Sequence, residues 1–387
     1  MKRRNLFAAV CAAVLTLGLS ACGGAAPAST TAAATTAAET TAAATTAAET
    51  TAAEAKAEET TAAETTAAEV TEAETTAAEA AGETKAAEAA ADRTKVRIGA
   101  LKGPTTMGIV NLLNKSEAGE TANDYEFTMA VQADEVLAKL VGGDLDIALI
   151  PANVAAVVNN KGEGCPFPVV DINTLGVLYC VTGDDSIHSV GDLAGKTVIS
   201  TGQGTTPEYV LRTLTEKSGA KDVTLEFKSE AQEIAAALKA DPSQIAVLPQ
   251  PFVTVAMAQN EALKIAFSLT EAWDELMEDS SMVTGVTVVS RAFLTEHEDA
   301  VKTFLAEHQE SAEAAASDLD GTAELIAKYG IIEKAPVAKK ALPYCNIVCV
   351  TGEEMKQALS GYLEALYTQN PKAVGGQMPG EAFYWIP

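Results

Sequence analysis

The chain is 387 residues long and carries 53 acidic against 27 basic residues, a formal net charge of −26. Such a balance repels polyanions and argues against nucleic acid or an anionic lipid surface as a partner. The length exceeds one ordinary domain, and the composition changes sharply along the chain, dividing it into a leader, a low-complexity stretch and a globular part.

In the leader, Lys2, Arg3 and Arg4 precede an apolar run from Leu6 to Leu19. A bilayer span needs about 20 apolar residues, so the run is short for one and suits the hydrophobic segment of a secretory signal. It stops at Leu19-Ser20-Ala21-Cys22, which resembles a bacterial lipobox. Small residues there admit the signal peptidase, and the Cys22 thiol is the group that takes the lipid. The expectation is a signal peptide over 1–21 and an extracytoplasmic protein held to a membrane through Cys22.

Residues 22–92 follow as a tether of Ala, Thr and Glu in near-repeats of Thr-Thr-Ala-Ala-Glu-Thr. Thirteen acids between Glu39 and Asp92 face only Lys56 and Lys85, and aromatic residues are absent. So little apolar bulk cannot offset chain entropy, and the Thr pairs oppose the helix that Ala and Glu favour, so disorder is expected. The rest of the chain holds 40 of the 53 acidic and 22 of the 27 basic residues in a globular mix, with a length that suggests two lobes.

An internal repeat supports the two lobes. Val96–Leu101 reads as a strand, followed by Lys102-Gly103-Pro104-Thr105-Thr106 and a helical pattern from Met107 to Lys115. Val198–Thr201 is followed by Gly202-Gln203-Gly204-Thr205-Thr206-Pro207 and a helical pattern from Glu208 to Lys217. Gly103 and Gly204 stand 101 residues apart. Asp146–Ile150 with Pro151-Ala152-Asn153 is matched 98 residues later by Gln244–Leu248 with Pro249-Gln250-Pro251-Phe252. An amphipathic helix precedes each of these last two segments, Ala133–Val141 before Asp146 and Ala231–Lys239 before Gln244. Continuous apolar runs of this kind fit parallel strands buried on both faces, so the fold class is α/β with two lobes.

Ligands of open parallel sheets bind beyond the carboxyl ends of the strands, where all four loops lie. The candidate ligand-binding residues are therefore Lys102, Gly103, Pro104, Thr105, Thr106, Pro151, Ala152, Asn153, Gly202, Gln203, Gly204, Thr205, Thr206, Pro249, Gln250 and Phe252. Thr106 and Thr206 are expected to cap the helices that follow, with Pro207 at the first helical position. Free N–H groups at such helix starts suit a carboxylate, sulfonate or phosphate. Tyr125, Tyr179, Tyr209 and Phe252 are candidate stacking surfaces for a heterocycle.

With Leu101–Thr105, Asp146–Ala148, Pro151–Asn153, Gly202–Thr205 and the stretch Asp192-Leu193-Ala194-Gly195-Lys196-Thr197-Val198, residues 94–387 resemble a type II periplasmic-binding-protein domain. The similarity is to the nitrate/sulfonate/taurine and thiamine-precursor branch of ABC-transporter substrate-binding proteins. It implies a monomeric receptor with a ligand cleft between lobes, a small polar or anionic solute, and an ABC permease as partner. It also implies two crossings between lobes, expected near Tyr179–Thr182 and Met282–Val286. Lobe I would then be 94–180 plus 283–387, and lobe II 181–282. A ligand sensor without transport and a small-molecule lyase or dehydratase on the same fold are the alternatives. The cysteine-rich motif associated with pyrimidine-precursor relatives is absent.

Other motifs carry less. Gly191-Asp192-Leu193-Ala194-Gly195-Lys196-Thr197 has one residue too few between its glycines for a phosphate-binding P-loop and precedes a strand, so it reads as a turn. His188, His297 and His308 have no ligand spacing, and the last two sit in a charged helical stretch that reads as solvated. With no Cys-x-x-Cys and no Ser/His/acid set, no metal, cofactor or catalytic residue is expected. Cys165, Cys180, Cys345 and Cys349 allow three pairings. Cys345 and Cys349 flank a strand that would hold them about 13 Å apart, beyond the reach of a disulfide.

Overall fold

A computed structural model describes residues 93–387; the expected signal peptide, Cys22 and the tether lie outside the described residues. In the first lobe, β1 (Lys95–Leu101) leads through α1 (Pro104–Met107) to α2 (Val110–Glu117). β2 (Asp124–Ala130), α3 (Ala133–Val141), β3 (Ile147–Pro151), α4 (Ala152–Lys161) and β4 (Val169–Leu175) follow. The second lobe holds β5 (Leu178–Thr182), β6 (Thr197–Ser200), α5 (Thr206–Ser218), β7 (Thr224–Phe227) and α6 (Ala231–Ala240). It continues with β8 (Ile245–Pro249), α7 (Phe252–Gln259), β9 (Lys264–Ser268) and α8 (Leu269–Leu276). The chain then returns to the first lobe with β10 (Val283–Val289), α9 (Arg291–Glu296), α10 (Glu298–Ser317) and α11 (Leu319–Lys328). α12 (Ala335–Ala341), β11 (Ile347–Val350) and α13 (Gly352–Gln369) complete it.

The two sheets repeat one plan. The first runs β11-β4-β10-β3-β1-β2 and the second β7-β6-β8-β5-β9. β1 pairs in parallel with β2 and β3, as β6 does with β7 and β8. In each sheet the strand laid down just after a crossing runs antiparallel to both its neighbours, β10 between β3 and β4 and β5 between β8 and β9, and the edge strand β11 also runs antiparallel to β4. Ile147–Ile150 and Leu178–Thr182 are buried at every position, the burial expected of strands covered by helices on both faces. This is the two-lobe type II periplasmic-binding-protein fold.

The first crossing falls earlier than Tyr179–Thr182. Leu178–Thr182 is already a strand of the second sheet, with Leu178 opposite Pro249 and Val181 opposite Ala246, so the chain changes lobe at Gly176-Val177. Residues 169–182 are rich in strand-favouring residues on both sides of Gly176, and nothing local says that the two halves belong to different sheets. Gly176 makes the change possible, because a Cβ there would stand 2.2 Å from Thr270 Oγ1 and 2.4 Å from Met282 Cε. The second crossing spans residues 277–282, and Val283 opens β10 near the expected position.

The lobes share a core at their junction. Trp273 of α8 is fully buried and meets Tyr362 of α13 edge-on, with ring centroids 5.5 Å apart. Its indole N–H donates to Ser280 Oγ at 3.0 Å. Asn370 donates to the Tyr209 hydroxyl at 2.7 Å, tying the end of α13 to α5. On the opposite side, the Tyr179 hydroxyl donates to the Tyr344 carbonyl at 2.8 Å, and Asn346 Nδ2 donates to the Gly176 carbonyl at 2.5 Å. Among the described residues, no helix is long and apolar enough to cross a membrane.

Candidate functional site between the lobes

Beyond β8, Gln250 is 2% exposed and its side-chain carbonyl accepts the Thr254 hydroxyl at 2.9 Å. Gln250 sits in the turn just before α7, and Thr254 lies in that helix's first turn. They open a cavity of about 320 Å³, lined by Gln250, Thr254, Met257, Ala258 and Ile265 of the second lobe with Lys340 and Tyr344 of the first. Gln250 Nε2 is buried without a hydrogen-bond partner. Leaving such a donor unmet costs about 1–3 kcal/mol, so an acceptor brought into the cavity would recover that cost. Tyr344 is 43% exposed and meets Tyr179 edge-on at 5.9 Å. The lining thus offers one amide donor, one ammonium, an aromatic ring and a thioether, with no carboxylate or imidazole. Phe252 lines a larger space of about 780 Å³, where α6 and α7 face Ile331–Lys334.

The two expected loops of the first lobe converge on Gly285. Pro151 pairs opposite Gly285, and a Cβ on that glycine would lie 2.5 Å from both Thr105 Cγ2 and Asn173 Oδ1. Lys102 is exposed, with its backbone N–H donating to the Ala130 carbonyl at 2.9 Å. Ala152 is buried and Asn153 half-buried at the start of α4, while Pro249 closes β8 opposite Leu178.

The capping roles differ from expectation. Gly103 and Thr205 are the N-cap residues, and neither caps through a side chain. Thr106 lies inside α1 fully buried, its hydroxyl turned back to the Leu101 carbonyl at 2.5 Å. Thr206 is the first residue of α5, which moves Pro207 to the second position. The expected helix Met107–Lys115 is broken into α1 and α2, because residues 108–109 turn out of helical register.

The Gly202–Thr206 loop lines none of these spaces, because the chain itself satisfies it. Gly202 and Gly204 adopt φ of 74° and 72°, the left-handed region in which glycine is unstrained. The Thr205 hydroxyl donates to the Gly202 carbonyl at 2.6 Å, and the Tyr209 hydroxyl to the Gly204 carbonyl at 2.6 Å. Glu208 accepts the Gly204 N–H at 2.7 Å and Arg212 Nε at 2.7 Å. The Gly204 N–H, followed by Arg212, holds the Glu208 carboxyl below the usual glutamate range. An internal carboxylate therefore sits where an anionic ligand was expected, Gln203 is left exposed, and Tyr209 is spent on the loop. Tyr125 is likewise occupied, buried in the first lobe with its hydroxyl on Glu307 at 2.5 Å.

Thr254, Met257, Ile265, Lys340 and Tyr344 escaped the sequence reading. Thr254 could have been found from its four-residue spacing to Gln250, but Lys340 and Tyr344 arrive from a distant segment with no local mark. His308 is a further correction. It is fully buried, not solvated, with Nδ1 3.2 Å from Asp171 Oδ2, because α10 turns that face onto the sheet. His188 and His297 are exposed, and all four described cysteines are free. The Gly191–Thr197 stretch is a short 3₁₀ turn, held by a Ser189–Asp192 capping box, that runs into β6.

The fold has close relatives in shape. An ABC transporter structure from Parabacteroides distasonis superposes with a TM-score of 0.64 at 22% identity, covering 76% of this chain and 99% of that one. The periplasmic aliphatic sulphonate binding protein SsuA of Escherichia coli gives 0.59 at 17% identity, covering 76% and 93%. The ligand-binding component of an ABC-type import system from Staphylococcus aureus, solved with zinc bound, gives 0.54 at 14% identity, covering 75% and 98%. At these identities the likeness is one of fold. No curated protein sequence matches the chain. A family model described as menaquinone biosynthesis matches residues 97–368, most of both lobes. The chain therefore belongs to the menaquinone-biosynthesis family, built on the two-lobe binding-protein fold.

Proposed function

We propose that the protein is a lipid-anchored extracytoplasmic receptor that captures a small solute between its lobes and delivers it to an ABC importer, without catalysing a reaction. The observation that carries this reading is the cavity lined from both lobes, with the unpartnered amide of Gln250 and the ammonium of Lys340 on its walls. Those groups suit a solute with an acceptor or anionic group and a flat or apolar body, which Tyr344 and Met257 can cover. The names of the structural neighbours, two of them components of transport systems and one a sulphonate-binding protein, agree with a binding role. Native mass spectrometry of the purified protein should find one small molecule per chain. In calorimetric titration with that molecule, Gln250→Leu and Lys340→Met should each weaken binding by about 1–1.5 kcal/mol, roughly tenfold. Unchanged affinity in both variants would remove the cavity from the reading.

The anchor has its own test. Cys22→Ala should move the protein from the membrane to the soluble fraction, because one position carries the lipid. Equal membrane retention would defeat the lipoprotein assignment.

The family description favours a second reading, an enzyme acting on a small molecule. A cavity wall without carboxylate or imidazole offers Lys340 and Tyr344 as its titratable groups, which favours binding over proton transfer. Recovery of a chemically unchanged ligand after prolonged incubation separates the two, whereas catalytic turnover would establish the enzyme.

A further inference from the structure

Asp171 of β4, His308 of α10 and Cys349 of β11 each point a ligating atom to one place, and the three atoms all lie within 4.8 Å of one another. Asp171 and His308 are fully buried and Cys349 is half-buried. Thr287 donates to Asp171 Oδ1 at 2.9 Å, and Asn173 Nδ2 donates to Thr287 at 3.2 Å. His308 Nδ1 stands 3.2 Å from Asp171 Oδ2, and His308 Nε2 has no partner. Apart from His308, no cation faces the buried Asp171 carboxylate among the described residues, an arrangement that is costly in a core unless positive charge is supplied.

We propose that Asp171, His308 and Cys349 bind a divalent transition cation, with zinc the best match to their oxygen, nitrogen and sulfur donors. A carboxylate, a thiolate and a dication sum to zero, so the occupied site places no net charge in the core. The 3.2 Å separation of Oδ2 and Nδ1 is close to the edge of about 3.3 Å implied by tetrahedral bonds of roughly 2.0–2.1 Å. A Zn–S bond of about 2.3 Å asks Sγ to approach by on the order of 1 Å, within the reach of a rotation about its Cα–Cβ bond. On binding, the Cys349 thiol proton is displaced to solvent with no change of oxidation state. None of the three residues lines the cavity at Gln250, so the cation's role is to clamp β4, β11 and α10 together.

Full-length protein purified from zinc-supplemented cells without chelator should contain one zinc per chain by elemental mass spectrometry. Cobalt in its place should give a thiolate-to-cobalt charge-transfer band that Cys349→Ser abolishes and Cys165→Ser preserves. Chelation should lower the thermal midpoint of the wild type but not that of Cys349→Ser. Less than a tenth of an equivalent of metal, or a cobalt band that survives Cys349→Ser, overturns the site. If Cys349→Ser does not fold, the wild-type cobalt spectrum decides alone, since bound cobalt without the thiolate band also overturns it.

Discussion

Trp273→Ala should destabilise the domain by about 3–5 kcal/mol, the usual loss for a large aromatic side chain removed from a packed core. The side chain is fully buried, stacks edge-on with Tyr362 and spends its indole N–H on Ser280. Those two contacts reach α13 and the second crossing, so the cavity left behind lies at the junction and not inside one lobe. Urea denaturation followed by far-ultraviolet circular dichroism reads the stability. Small-angle scattering reads the lobes, which should sit farther apart on average than in the wild type. A loss below about 1 kcal/mol would mean that the lobes do not depend on this contact.

Gly176→Val should cost about 1–3 kcal/mol and, more tellingly, should impair closure on a ligand. Alanine is the milder change, because the Met282 methyl that a Cβ would meet at 2.4 Å can swing aside. Valine adds two methyl groups against Thr270 and Met282, both buried, and pushes the two crossing strands apart. The Gly176 carbonyl also accepts Asn346, two residues from Tyr344 of the cavity wall, so the disturbance reaches the site. Affinity for the co-purified ligand should fall at least about tenfold, or 1.4 kcal/mol. Scattering with and without the ligand should show less compaction on binding in this variant than in the wild type. Wild-type affinity in Gly176→Val would show that hinge geometry does not govern binding.

The α/β class and the repeated strand–loop–helix units were legible in the sequence because both signals are local. A buried parallel strand announces itself as an apolar run, an amphipathic helix by its period, and two copies about 100 residues apart by comparison with each other. Gln250 was legible for the same reason, since it follows a strand end where ligands of open sheets bind. Other features depended on partners that no local pattern names. Glu208 could be placed on the first turn of a helix, but only the folded loop shows its carboxylate turned back onto the Gly204 N–H, where a solute anion was expected. His308 belonged to a charged stretch, and only the packing of α10 on the sheet brings it to Asp171, 137 residues away. Lys340 and Tyr344 become cavity walls only because the first lobe's late helices fold across the second lobe. Sequence periodicity decides which face of an element is apolar. Which face of which other element it meets, and so which polar groups are stranded between them, is decided by the packing of residues far apart in the chain.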